Sequence, residues 1–194
     1  FRKAGFKDGN PWFRAVQFKQ DIINRDMSKV PGFSVIYSFE ILNDLTDFSS
    51  LKMLCERASM YDISINGHLL DTKGVQYLDK DFTLFSIGTH LHTGINKVEM
   101  SIDKFNVEAE IEPIYILGDF AVVTNDNKWV ISGRQNNYLL GSTKDRGAPF
   151  YPWEMCYSKS YHIDMKQDCY YISVPKWKGS LVQIWVNGQK AGLV

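Results

Sequence analysis

Apolar residues recur at every second position along most of this chain. In SVIYSFEIL, Val35, Tyr37, Phe39 and Ile41 share one face. In LKMLCER the face is Leu51, Met53 and Cys55; in NKVEMSID it is Val98, Met100 and Ile102, with Lys97, Glu99 and Ser101 turned outward. Side chains alternate across an extended backbone, so this spacing predicts strands with one buried face. Further strands are predicted at DFTLFSI, NVEAEI, IYILGDFAVV, KWVISG, YSKSYHID, CYYISV and LVQIWV. Gly, Asn, Asp and Pro divide them at short intervals, as in an antiparallel sandwich. YSKSYHID and CYYISV are expected to pair around MKQD. The one helical candidate is FRAVQFKQDIINRDM, where Phe18 and Ile22, with Val16 and Ile23, could share a stripe.

A short pattern occurs twice. DISINGHLLD in the first half returns as QIWVNGQKAG near the end. Asn-Gly tolerates positive φ at both central positions of a type I′ turn, whose twist matches that of the strands it joins, so each copy predicts a tight hairpin. The repeat extends outward: VIYSFEI precedes the first hairpin as CYSKSYHI precedes the second, with LKMLCER or CYYISV between. After the first hairpin come DFTLFSI, the turn LHTGIN and NKVEMSI; after the second, only QKAGLV follows. The second copy is therefore expected to lack closing strands, and the chain is expected to be a segment of something longer.

Composition narrows the partners. Among 194 residues, Lys plus Arg and Asp plus Glu both number 22, so no basic face for nucleic acid or anionic lipid is expected. No apolar run approaches the length that spans a bilayer. With 44% hydrophobic and 14% aromatic residues, one good core or two small ones can form without metals or disulfides. Cys55, Cys156 and Cys169 are odd in number and lack CxxC spacing, which argues against a zinc site or a disulfide framework and for buried free thiols. His90 and His92, two apart in THLHTG, could project together as metal ligands do, but no third ligand is near, so an exposed or hydrogen-bonded pair is expected.

The exposed rings are the candidate chemistry. PFYPWEMCY gathers Phe150, Tyr151, Trp153 and Tyr157 beside two prolines, either as a platform on which sugar C–H faces stack or as packing at a joint between modules. Trp177, in VPKWKGS, is placed on a loop between strands and is the better candidate for an exposed ring. Tyr151, Trp153 and Trp177 are accordingly the candidate carbohydrate-binding residues.

The order LKMLCERASMYDISINGHLLD, DFTLFSIGTHLHTGINKVEM, EPIYILGDFAV, GAPFYPWEMCYSKSYHI and LVQIWVNGQKAG resembles the non-catalytic, galactose-binding-like jelly rolls of bacterial glycoside hydrolases. It looks most like those beside the barrel of α-L-rhamnosidase-type enzymes, and more distantly like the sugar-binding domain of the β-galactosidase superfamily. The resemblance implies an all-β fold: a lead segment over 1–32, a first antiparallel β-sandwich or jelly roll over 33–146, and the start of a second over 147–194. It implies carbohydrate or polysaccharide and an adjacent catalytic domain as partners, and a periplasmic or extracellular setting. A structural calcium, implied in the same way, would draw on the DLTD or NDN loops. No other cofactor is expected.

Glycoside hydrolysis needs two carboxyl groups at fixed spacing. Glu40, Glu56, Asp79, Asp81, Glu112, Asp119 and Glu154 qualify by type alone, and turn or surface roles account for them. No catalytic residue is assigned. The expected function is a non-catalytic module of a larger glycoside hydrolase, with a free-standing carbohydrate-binding module as the alternative and a small enzyme as the weakest reading.

Overall fold

The alternation of SVIYSFEIL becomes strand β1 (Pro31–Ile41), the long central strand of one sheet. The computed structural model describes residues 1–14, 16, 22–71, 73–111, 114–134, 141–174 and 177–194. Its further strands are β2 (Lys52–Glu56), β3 (Asp62–Ile65), β4 (His68–Leu69), β5 (Val75–Tyr77), β6 (Asp79–Ser86) and β7 (Gly94–Lys104). Then follow β8 (Ile114–Leu117), β9 (Ala121–Asn125), β10 (Lys128–Ser132), β11 (Gln183–Val186) and β12 (Gln189–Leu193). The fold is all-β.

A six-stranded sheet runs β4-β3-β7-β1-β10-β9 and a four-stranded sheet runs β5-β6-β2-β8. All pairings are antiparallel except β1 with β10, which meet in parallel at Ile41 and Ile131. One core lies between the two sheets. Met53, Cys55 and Phe85 reach it from the smaller sheet, and Ile41, Ile63, Ile65, Val98 and Met100 from the larger. Each large aliphatic side chain fully buried there contributes about 1.5–3 kcal/mol. β7 is fixed on both sides, to β1 from Pro31↔Lys104 to Ile41↔Gly94 and to β3 at Ile65↔Val98, as its alternation requires. Close approach there depends on Gly32, where a β-carbon would collide with the Ile102 carbonyl oxygen.

The first 30 residues hold a smaller core. Ala4, Phe6 and Ile22 pack on Val107, and the Trp12 indole Nε1 donates to the Val107 carbonyl at 2.8 Å. Six of the fifteen residues of the predicted helix, Phe18 included, lie outside the described residues. Of its stripe, Ile22 is buried, while Val16 and Ile23 are exposed.

Three expected strands are absent. NVEAEI folds as a turn because the Asn106 side chain accepts from Glu108 N at 2.9 Å and Ala109 N donates to Asn106 O at 3.0 Å. Buried Tyr61 then takes up the next backbone group, its hydroxyl accepting from Glu110 N at 2.9 Å. YSKSYHID and CYYISV form no ladder among the described residues; an isolated pair of strands without an apolar layer to cover is at best marginal. Only Cys55 is a buried thiol, whereas Cys156 and Cys169 are exposed in that uncovered segment.

Both Asn-Gly hairpins form. Asn66 and Gly67 have φ of 50° and 84°, Asn187 and Gly188 of 49° and 79°. A third hairpin of the same kind joins β9 to β10 through Asp126 and Asn127, at φ of 47° and 61°.

Candidate functional site

β2 and β6 carry apolar residues on both faces, which a strand with one wet face does not. The inward set fills the core; the outward set lines up across all four strands. Val75 stands opposite Leu84, Leu84 opposite Leu54, and Leu54 opposite Tyr115, so the four share one outer face. Leu54 is buried by its neighbours, while Val75 and Tyr115 at the ends are exposed. The signal in the sequence is Leu54, Phe82 and Leu84 at the positions alternation assigns to water.

An open cleft of about 340 Å³ adjoins this row and shares Val75 and Leu84 with it. Leu69 and Phe85 also line it, with Asp71 and His90 among its polar residues. The His90 ring stacks on His68 at 5.1 Å. Four of its ten lining residues, Asp71, Lys73, Ser86 and His90, are polar, so the cleft offers a mixed wall and no apolar pocket.

Next to it in chemistry, though on the other sheet, is a group of rings. Trp129 on β10 meets Phe150 edge to face at 5.5 Å, and Lys144 Nζ lies 5.8 Å from the Trp129 ring centre. The loop carrying Phe150 is held to β9 by the Val122 N–H, which donates to Gly147 O at 2.8 Å. Gly147 is needed there: its φ is +79°, and a β-carbon would press on Ala121 at 2.9 Å. The ring of Phe150 thus meets Trp129 on β10 and leaves both rings open to solvent.

The three candidate sugar-binding rings follow. Tyr151, Trp153 and Trp177 are 49%, 70% and 36% exposed. Tyr151 and Trp153 continue directly from Phe150, within about 11 Å of chain. Trp177 lies apart in sequence, against Gly179. No ring contact joins the three to one another. Trp129 was missed by the sequence reading because its neighbours Val130 and Ile131 mark β10 as a core strand and say nothing of the loop that docks on its outer face.

The histidines of THLHTG sit in a turn and make hydrogen-bonding contacts. His92 Nδ1 lies 2.8 Å from Thr93 O, and the His90 carbonyl accepts from Asn66 Nδ2 at 2.8 Å. Asn96 is fully buried, accepting from Asn66 Nδ2 and His92 N and donating to His92 O and Gly94 O. Among the described residues no three His, Cys, Asp or Glu side chains are grouped to hold a metal ion. In DLTD, Asp44 accepts from Ser132 Oγ at 2.6 Å and Gly133 N at 3.0 Å, and Asp47 from Ser49 N and Oγ. Both carboxylates are turned to protein donors.

Among the other carboxylates, Asp81 lies 3.6 Å from Arg57 and Asp119 pairs with Arg134 at 2.7 Å. Asp79 caps a turn by accepting from Asp81 N at 3.0 Å. Glu154 is exposed, and Glu112 lies outside the described residues. Burial pushes the Cys55 thiol up to about 12, with the Glu56 carboxylate adding to it, and burial raises the Tyr61 hydroxyl as well. Neither group opens onto the cleft or the rings.

No protein-family model matches this chain, and no curated protein matches it in sequence. Among solved structures, the chain is similar over 54% of its length to an α-L-rhamnosidase from Dictyoglumus thermophilum, at 13% identity and a TM-score of 0.32, a weak and distant likeness. The match spans 13% of that protein's length.

Proposed function

We propose that this chain is a non-catalytic β-sandwich module, of the galactose-binding-like jelly-roll kind, within a larger glycoside hydrolase acting on plant or microbial polysaccharide. Its role is to support the adjacent catalytic domain or to contact carbohydrate, and the exposed rings favour the second. The observation that carries this reading is the edge-to-face pair of Trp129 and Phe150 on β10, followed in the chain by the exposed rings of Tyr151 and Trp153. Sugar rings present flat C–H faces, and aromatic side chains cover such faces at little entropic cost because few bonds need fixing.

Affinity electrophoresis through gels carrying pectin, xylan or mixed-linkage glucan tests it. Retardation by at least one polysaccharide is expected, weakened about 3- to 10-fold by Trp153→Ala or Tyr151→Ala. Free mobility in every gel, or retardation that neither substitution changes, refutes carbohydrate contact through these rings. Aryl glycosides should stay uncleaved. Turnover abolished by changing a single Asp or Glu would instead make the chain an enzyme in its own right.

A further inference from the structure

An odd number of cysteines argues against pairing only while the three thiols are equivalent, and the fold makes them unequal. Cys55 on β2 is fully buried in the core between the two sheets, its sulfur 3.5 Å from the Glu56 carbonyl oxygen. Burial pushes its thiol up to about 12, so it supplies almost no thiolate near neutral pH. Cys156 and Cys169 are exposed free thiols. The fold sets one cysteine aside and leaves two.

These two lie in a stretch with no architecture to hold them apart. From 151 to 174 every residue is described, none is buried, and none belongs to a strand or a helix. The chain bends at Asp164, Met165 and Asp168, all between the two cysteines, and beyond the last bend the Tyr170 hydroxyl accepts from Gln167 N at 2.8 Å. Cys156 and Cys169 are thirteen positions apart. A disulfide needs their α-carbons within about 4.4–6.8 Å, and a loop this short closes at a modest cost in chain entropy. Tethered so closely, each thiol meets the other at an effective concentration on the order of millimolar. A segment that buries no side chain has no core of its own to order it, and a covalent cross-link is a common means of holding such a unit.

We propose that Cys156 and Cys169 are a redox modification site: in the presence of a small-molecule disulfide such as oxidised glutathione they join in one intramolecular disulfide, closing the loop from 156 to 169 and leaving Cys55 as the remaining thiol. The thiolate of one exposed cysteine attacks the glutathione disulfide, forming a mixed disulfide and releasing one glutathione thiol. The thiolate of the other then attacks the protein sulfur of that mixed disulfide, forming the internal S–S bond and releasing the second glutathione thiol. Two protein thiols are oxidised and one glutathione disulfide is reduced, so no other oxidant is needed. The inference is independent of whether the rings bind sugar.

The test is to incubate the fully reduced chain in a buffer of reduced and oxidised glutathione, quench with acid, and read intact mass, peptide map and thiol content in denaturant. Titratable thiols are expected to fall from three to one. The protein should lose two hydrogens and retain no glutathione, with the Cys156 and Cys169 peptides linked. In Cys169→Ser, Cys156 has no partner and should hold glutathione as a mixed disulfide. Glutathione retained on both exposed cysteines of the unsubstituted chain, disulfide-linked dimers in place of the internal bond, a bond that includes Cys55, or three thiols throughout would each overturn the proposal.

Discussion

The side-chain amide of Asn66 donates to Asn96 Oδ1 at 2.9 Å, joining a hairpin turn at the edge of the six-stranded sheet to the strand beside it. Asn96 is fully buried and engages four partners in all, so its loss strands several polar groups at once. Asn96→Ala is expected to destabilise the protein by about 2–4 kcal/mol, because buried groups left unpaired keep their full desolvation cost. Asn66→Gly, which retains the turn, should cost about 1–2 kcal/mol. Urea unfolding followed by tryptophan fluorescence measures both, and equal, negligible effects would show the latch to be incidental.

Gly32→Ala puts a methyl group against the Ile102 carbonyl oxygen in the β1–β7 pair, the longest ladder of the fold. Backbone cannot yield there without breaking the register. A loss of about 3 kcal/mol or more is expected, or failure to fold. The neighbouring Ser34→Ala, on an exposed position of the same strand, should change stability by no more than about 0.5 kcal/mol.

Cysteine chemistry should separate the two parts of the chain. Alkylation by iodoacetamide at pH 8.5 is expected to modify exposed Cys156 and Cys169 and to leave Cys55 unmodified until denaturant is added. The thiol of Cys55 is raised in the fold from 9.0 to about 12, so its contribution is complete below pH 9 and is lost as pH rises from there towards 12, where the unfolded chain ionises first. Labelling of Cys55 in native buffer at the rate of the other two would contradict its burial.

Acid should weaken the tie between the β1 exit and the end of β10. The Ser132 hydroxyl and then the Gly133 N–H hold the Asp44 carboxyl below its usual range. A folded value below the unfolded one stabilises above the ordinary carboxylate range and is lost as pH falls through the folded value. Ser132→Ala should therefore lower Tm at pH 7, and the gap to the unsubstituted protein should narrow by pH 3. A gap that stays constant would assign the effect of Ser132 to packing.

Period-two spacing and turn chemistry were enough to place the strands that have an apolar face and a turn to end them. Val35 to Ile41, Met53 with Cys55, and Val98 with Met100 each announce a buried face by period-two spacing, and Asn66-Gly67 and Asn187-Gly188 announce their hairpins by backbone chemistry that needs no tertiary help. Tertiary structure decided where alternation is not enough. NVEAEI alternates, yet Asn106 and the Tyr61 hydroxyl take the backbone groups a ladder would use. YSKSYHID alternates too, but a ladder with nothing to cover buries no surface to offset the entropy of ordering it. The same reason governs the candidate sites. Leu54 and Leu84 are four strands' worth of surface only once β5, β6, β2 and β8 stand side by side, and Trp129 becomes part of a ring group only when Gly147 lets the following loop lie against β9. Contacts between residues far apart in the chain leave no period to read.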